Sequence, residues 1–169
     1  MLSDFYGNNL TTTTGLARDN YDVGLKAFLS ANYGAEEAFS LAVEADPNFS
    51  LAYAGLVRAH MSAGNLSAAA SALKTAKKKL NGATEREKSH VYCIELLTSG
   101  KSKEAREAVY KHVLEWPRDA LVAQINTSVF GLIGFSGQIG REKDLLDFTE
   151  ILLPHYGEDW WMMSMHAIS

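Results

Sequence analysis

Cysteine occurs once in 169 residues. A lone Cys93 closes no internal disulfide, so the fold must hold by packing, and a reducing interior is the expected setting. Proline occurs three times, as Pro47, Pro117 and Pro154, each at the expected end of a helical pattern. An interior proline costs a helix about 3 kcal/mol, so the long intervals between these three are permissive for helix. No apolar run approaches the roughly 20 residues that span a bilayer; the longest, 129–135, is broken by Gly131 and Gly134. Alternating runs of Val, Ile and Thr are missing, so no strand is expected. A basic excess is missing too: 16 Lys and Arg stand against 20 Asp and Glu, for a net charge of −4. That balance speaks against non-specific nucleic-acid binding and against attraction to anionic membranes. The opening Met1-Leu2-Ser3-Asp4 lacks the basic region and apolar stretch of a secretory signal, so a cytoplasmic protein is expected.

What is present is alanine, leucine, lysine and glutamate in helical blocks. Hydrophobic residues make up 47% and charged residues 21%, which supports a single domain with a real core. The spacing predicts helices over 14–31, 36–45, 49–63, 66–80, 85–99, 102–116, 120–134 and 142–153, with a ninth starting near Asp159. Thr84-Glu85-Arg86-Glu87 is a capping box in which Thr84 caps the first free N–H groups and Glu87 reaches back. Asp119 is the expected cap of the seventh helix. Connections of two to five residues force neighbouring helices to run antiparallel.

The blocks repeat. Gly64 and Gly100 stand 36 residues apart, and each is followed five residues on by alanine, Ala69 and Ala105, and then by Leu73 and Val109. Ala35, Phe39, Ala42 and Pro47 follow the same order, and Ala105 runs on to Pro117. A small residue, a larger apolar one four positions later and a proline stop mark the second half of a tetratricopeptide repeat: the small residue admits a neighbouring helix and the large one fills the gap. The expected architecture is all-α, with antiparallel helix pairs stacked as a right-handed tetratricopeptide-repeat-like superhelix of eight or nine helices. Its approximate repeats are 14–47, 49–82, 84–117 and 119–156, the last distorted by the loop 134–140 and followed by a final helix, 159–169.

Several stretches carry a further resemblance: Asp4-x-Tyr6-Gly7-x-x-Leu10-Thr11-Thr12, Tyr21-Asp22-x-Gly24-Leu25, Ala42-x-x-Ala45-Asp46-Pro47-x-Phe49-x-Leu51-Ala52, Pro117-Arg118-Asp119-Ala120-Leu121 and the glycine-rich loop after the seventh helix. In these the chain resembles the tetratricopeptide repeat protein 38 family along nearly its whole length. The resemblance implies a fold and no activity. Members of that family are longer, so the chain is expected to correspond to an N-terminal portion, with its last helix incomplete.

Candidate chemistry is sparse, and each cluster has a structural reading that outweighs the functional one. The hydroxyl run Thr11 to Thr14 reads as a helix cap with solvated neighbours rather than a phosphate cradle. His90 and Cys93 lie at i, i+3, a permitted metal spacing, but no local pair completes a site, and core packing is expected. His155, Tyr156, Glu158, Asp159 and the more distant His166 gather acid, imidazole and phenol without a recognisable nucleophile; Asp159 reads as a cap. Lys74, Lys77, Lys78 and Lys79 suit the negative end of a helix dipole. The loop 131–140 lacks the spacing of a phosphate loop. No catalytic residue, metal site or cofactor is expected.

Function must then come from surface. In stacked pairs the first helices line the concave face, and the repeat register puts Asn20, Arg58, Met61, His90, Leu97, Asn126 and Phe130 there. Amide and guanidinium groups among apolar ones suit an extended peptide. The set does not match the lysine/asparagine clamp by which some repeat proteins hold a chaperone's C-terminal carboxylate. The expectation is a non-enzymatic scaffold for a protein or peptide partner. The alternative is a small-molecule binder or enzyme with a site between the concave face and the His155–Asp159 corner. Trp160, Trp161, Met162 and Met165 form an apolar end suited to self-association.

Overall fold

The computed structural model describes residues 2–169, which are helical apart from loops and one short strand pair. The chain divides into two compact units, Met1–Ser99 and Gly100–Ser169. The division falls at Gly100, the turn inside the third expected repeat.

The first unit opens on the strand pair β1 (Leu2–Ser3) and β2 (Asn9–Leu10), antiparallel with Leu2 opposite Leu10. This corrects the expectation that no strand forms. Two residues per strand are too few for alternation to register; a side-chain-templated turn makes the pair instead. The Asp4 carboxylate accepts from the Tyr6 N–H (3.0 Å) and the Asn8 N–H (2.8 Å).

Five helices follow: α1 (Gly15–Leu29), α2 (Ala35–Ala45), α3 (Ser50–Ser62), α4 (Leu66–Lys78) and α5 (Glu85–Thr98). Each begins within a residue of its expected start. α1 packs on α2 and α3 on α4; α3 also packs on α1, α2 and α5. The centre of the first pair is Phe39, whose ring lies where α1 and α3 carry Gly24 and Gly55. A Cβ on either glycine would stand 2.7 or 2.5 Å from the Phe39 ring, so only glycine admits the aromatic there. Tyr21 flanks it, 5.7 Å from Phe39 and 5.2 Å from Phe49 between ring centres. Here α2 supplies the large residue and the glycines of α1 and α3 supply the space, whereas the small residues of the expected signature, Ala35 and Ala42, lie on α2 itself.

The capping box forms as expected. Thr84 Oγ1 accepts from the Glu87 N–H (3.2 Å), and Glu87 Oε2 accepts from the Thr84 N–H (2.8 Å). The other oxygen of Glu87 accepts from the Thr11 N–H (3.0 Å) and the Thr11 hydroxyl (2.9 Å). The Thr12 hydroxyl donates to Asp46 Oδ2 at 2.6 Å. Thr11 and Thr12 therefore clip the N-terminal arm to the ends of α5 and α2, neither capping α1 nor lying free in water. Thr14 occupies the N-cap position of α1 without a side-chain bond.

The second unit holds α6 (Ser102–Glu115), α7 (Ala120–Ala123), a 3-10 turn (Gly134–Ser136), α8 (Arg141–Tyr156) and α9 (Trp160–Ala167). The seventh helix, expected to reach residue 134, stops at Ala123. Beyond it the chain folds on itself: the Leu132 N–H donates to the Ile125 carbonyl at 2.9 Å, and Ser128 takes a left-handed φ of 66°. A Cβ on Gly131 would meet the Thr127 carbonyl oxygen at 2.2 Å, and one on Gly134 the Val129 carbonyl oxygen at 2.3 Å, so the glycines that looked like helix interior are points of backbone-on-backbone contact. Asp119 makes no capping bond through its side chain, contrary to expectation, because its carboxylate is turned to His112. Pro154 does not end α8 but lies in its last turn. There it forfeits one bond, to the carbonyl of Glu150, a residue on the exposed surface where water replaces it. Asp159 caps α9 as expected, accepting from the Met162 N–H at 2.9 Å.

Candidate functional site

In the first unit, α1, α3 and α5 neighbour one another in that order, and the accessible side chains expected along them are partly brought together. Arg58 of α3 lays its guanidinium over the Phe28 ring of α1, 5.2 Å from the ring centre. Burial lowers its pKa to about 10, which leaves it charged at neutral pH and poorly hydrated. One turn further, Met61 Sδ accepts from the Thr98 hydroxyl at 3.5 Å, which joins the end of α3 to the end of α5 beside Leu97. Asn20, Arg58, Met61 and Leu97 are all part-exposed. Asn20 sits eight residues before Phe28 on α1, hence on the same helix face. His90 is not on this surface: it is 0% exposed, as is Cys93, and both belong to the core of the unit. Among the described residues no group of three His, Cys, Asp or Glu side chains could hold a metal ion.

Two lysines of the basic helix end are tied down. Lys77 pairs with Glu95 of α5, and Lys79 donates to Asn48 Oδ1 at 2.9 Å, so half of that cluster serves to join elements of the unit.

In the second unit, Asn126 is fully buried and donates through Nδ2 to the Arg106 carbonyl at 3.1 Å. Phe130 is 77% exposed and Phe135 71%, with ring centres 5.9 Å apart. Val129 and Ile139 of the same loop are exposed as well. A cleft of about 390 Å³ opens beside them, lined by Val129, Gly134, Phe135, Arg141, Glu142 and Leu145. Of the apolar end, Trp161 and Met162 are core residues, with Trp161 5.8 Å from Tyr156, while Trp160 is about half exposed and Met165 part-exposed. Only Trp160 and Met165 of the four expected self-association residues present surface.

His155 and Glu158 are exposed, His155 is engaged through its backbone carbonyl by Arg118 at 3.3 Å, and the Asp159 carboxylate is spent on its cap. His166 Nδ1 lies 3.1 Å from the hydroxyl of Thr149 on α8.

Two ionisable arrangements escaped the sequence reading. His112 Nε2 stands 3.2 Å from Asp119 Oδ2, both side chains closed off from solvent, and the Trp116 ring lies against the imidazole at 4.9 Å. No substrate reaches such a pair; it fastens α6 to the start of α7. The second is Asp22 on α1, which accepts from the Phe5 N–H at 2.8 Å. Burial is the main cause of a carboxyl pKa raised to about 6; Asp4 adds to the rise, while the Phe5 hydrogen bond, Arg18 and Lys26 oppose it. The Lys26 ammonium stands 3.9 Å from the Phe5 ring centre. A Tyr-Asp pair inside a helix was visible, but its partner 17 residues upstream was not. Among the described residues no helix is long and apolar enough to cross a membrane. In comparisons with known proteins, no family model, no curated protein and no solved structure matches the chain.

Proposed function

We propose that the chain is a non-enzymatic helical-repeat scaffold of the tetratricopeptide-repeat kind, working in the cytoplasm, that takes an extended peptide along the α1, α3 and α5 face of its first unit. One observation carries the reading: the first helices of successive pairs neighbour each other, α1 with α3 and α3 with α5, while each of α1 and α3 also packs on its own partner helix. That contact pattern is what a stacked-pair repeat needs in order to present a continuous groove. The resemblance to the tetratricopeptide repeat protein 38 family, in its Asp46-Pro47 and Pro117-Arg118-Asp119-Ala120 segments, belongs to the same reading. Arg58 is the expected anchor. A part-exposed guanidinium held over an aromatic ring offers a positioned cation to a peptide carboxylate. Met61 and Leu97 offer apolar contact, and Asn20 offers an amide for the peptide backbone.

Panning a display library of random peptides against the purified chain tests this. The expected result is a family of peptides sharing an acidic residue spaced from an apolar one. Arg58→Gln and Met61→Lys should each weaken binding roughly tenfold, about 1.4 kcal/mol, with unchanged circular dichroism. A library that yields no enriched sequence, or peptides that bind both variants as tightly as the parent, would overturn the proposal.

A further inference from the structure

The loop between α7 and α8 shows more apolar surface than a solvated connection requires. Phe130, Phe135 and Ile139 are largely or wholly exposed and Val129 about half so. Their accessible surface comes to at most on the order of 550 Å² per copy, backbone included, within the range of a monomer's largest patch. The loop is also held on a fixed frame. The Gly131 N–H donates to the Ser128 carbonyl, the Leu132 N–H to the Ile125 carbonyl and the Phe135 N–H to the Gly131 carbonyl, at 2.9–3.0 Å.

The features of the patch are those of a self-complementary surface. A projecting side chain, Phe130, stands beside a recess of about 390 Å³ walled by Val129, Phe135 and Leu145, roomy enough for one phenyl group. At the mouth of that recess lie one cation and one anion, Arg141 and Glu142, 3.3 Å apart and both accessible. A twofold axis beside the recess carries each Phe130 into the other copy's cleft and sets Arg141 of each against Glu142 of the other. Complete coverage of both patches would remove at most about 1,100 Å² from water, the size of a weak, transient pair rather than of a stable dimer. An anionic membrane fits less well, because Glu142, Asp144 and Asp147 border the loop and its neighbouring cleft.

We propose that two copies of this chain associate through the 129–142 loop, with Phe130 of each seated in the cleft beside Phe135 of the other. An interface of this size gives a weak pair, with Kd on the order of 10–100 μM.

Sedimentation equilibrium of the full chain from about 5 to 500 μM reads the association directly. The apparent mass should climb from the 18.5 kDa of one chain toward twice that value. Phe130→Ser should hold it at the monomer value across the range. Charge variants separate a real interface from a folding defect. Arg141→Glu and Glu142→Arg should each stay monomeric alone, associate when mixed with each other, and dimerise again when combined in one chain. The proposal is overturned if the wild-type chain stays monomeric at the highest concentration, or if it dimerises unchanged with Phe130→Ser. It is also overturned if Trp160→Ser, and not Phe130→Ser, removes the dimer. Flotation of wild-type chain, but not Phe130→Ser, with neutral phosphatidylcholine vesicles would assign the patch to a membrane instead and overturn it equally.

Discussion

The two units close their helices by different means. In the first, order comes from shape: a single aromatic, Phe39, enters a space that Gly24 and Gly55 leave open, and the N-terminal arm is clipped over the helix ends by Glu87 and Asp46. In the second, a buried His112–Asp119 pair fastens one helix to the next, and a glycine-hinged loop replaces most of α7. In the first unit the exposed apolar side chains, such as Leu16, Tyr33 and Leu66, are spread over the helices, whereas in the second Val129, Phe130, Phe135 and Ile139 fall within one loop.

Each unit carries its own reporter. All three tryptophans, Trp116, Trp160 and Trp161, lie in the second unit, and the only cysteine, buried Cys93, lies in the first. The largest effect is expected from Phe39→Ala, which should cost about 4 kcal/mol by opening a cavity between α1, α2 and α3. Cys93 labelling in urea should then begin at markedly lower denaturant, and tryptophan emission read in the same titration shows whether the damage stays in the first unit. Full retention of the Cys93 midpoint would refute the role given to the ring.

Asp119→Ala should cost about 2 kcal/mol, since it removes the buried carboxylate that stands 3.2 Å from His112 Nε2. Here the tryptophan transition is the one to shift, with Trp116 directly against His112. An unchanged tryptophan midpoint would show the pair to be dispensable.

The smallest expected effect is a gain. The carboxyl of Asp22 is raised to about 6 in the folded chain from an ordinary 3.8. Between those values the folded state holds a proton that the unfolded state has released. Stability therefore falls as pH rises through the window, and the cost is complete above about pH 6. Asp22→Asn keeps an acceptor for the Phe5 N–H and removes the charge. It should stabilise the first unit at pH 7.5 by roughly 1 kcal/mol, a figure discounted for partial exposure, and much less at pH 4. An equal effect at both pH values would show that burial of charge is not what raises this carboxyl.

The first six helices were legible from sequence to within a residue or two because their signals are local. Pro47 and Pro117 stop α2 and α6, Thr84 and Glu87 start α5, and the 36-residue spacing of Gly64 and Gly100 sets the register. The seventh was misread because what ends it is tertiary: Gly131 and Gly134 press on carbonyls of their own loop, a contact with no sequence spacing of its own. Among the candidate surface residues the repeat register separated exposed from enclosed positions only in part, and it placed Asn126 and Phe130 on a helix that ends at Ala123. Arg58, Met61 and Leu97 reach the surface, whereas His90 one helix on is enclosed, because the period of a helix names a face without saying what covers it. The His112–Asp119 pair spans a turn, and the Thr11–Glu87 clip joins residues 76 apart, a separation no local pattern encodes.

That clip has a consequence for the order in which the molecule is made. Thr11 leaves the ribosome 76 residues ahead of its acceptor, Glu87. At about 5–20 residues per second, the arm waits several seconds while α1 to α4 emerge and pair. Only when α5 arrives does the arm find Glu87. The Thr11 side of the clip is thus made before the helices it waits for, and its docking marks the completion of the first unit.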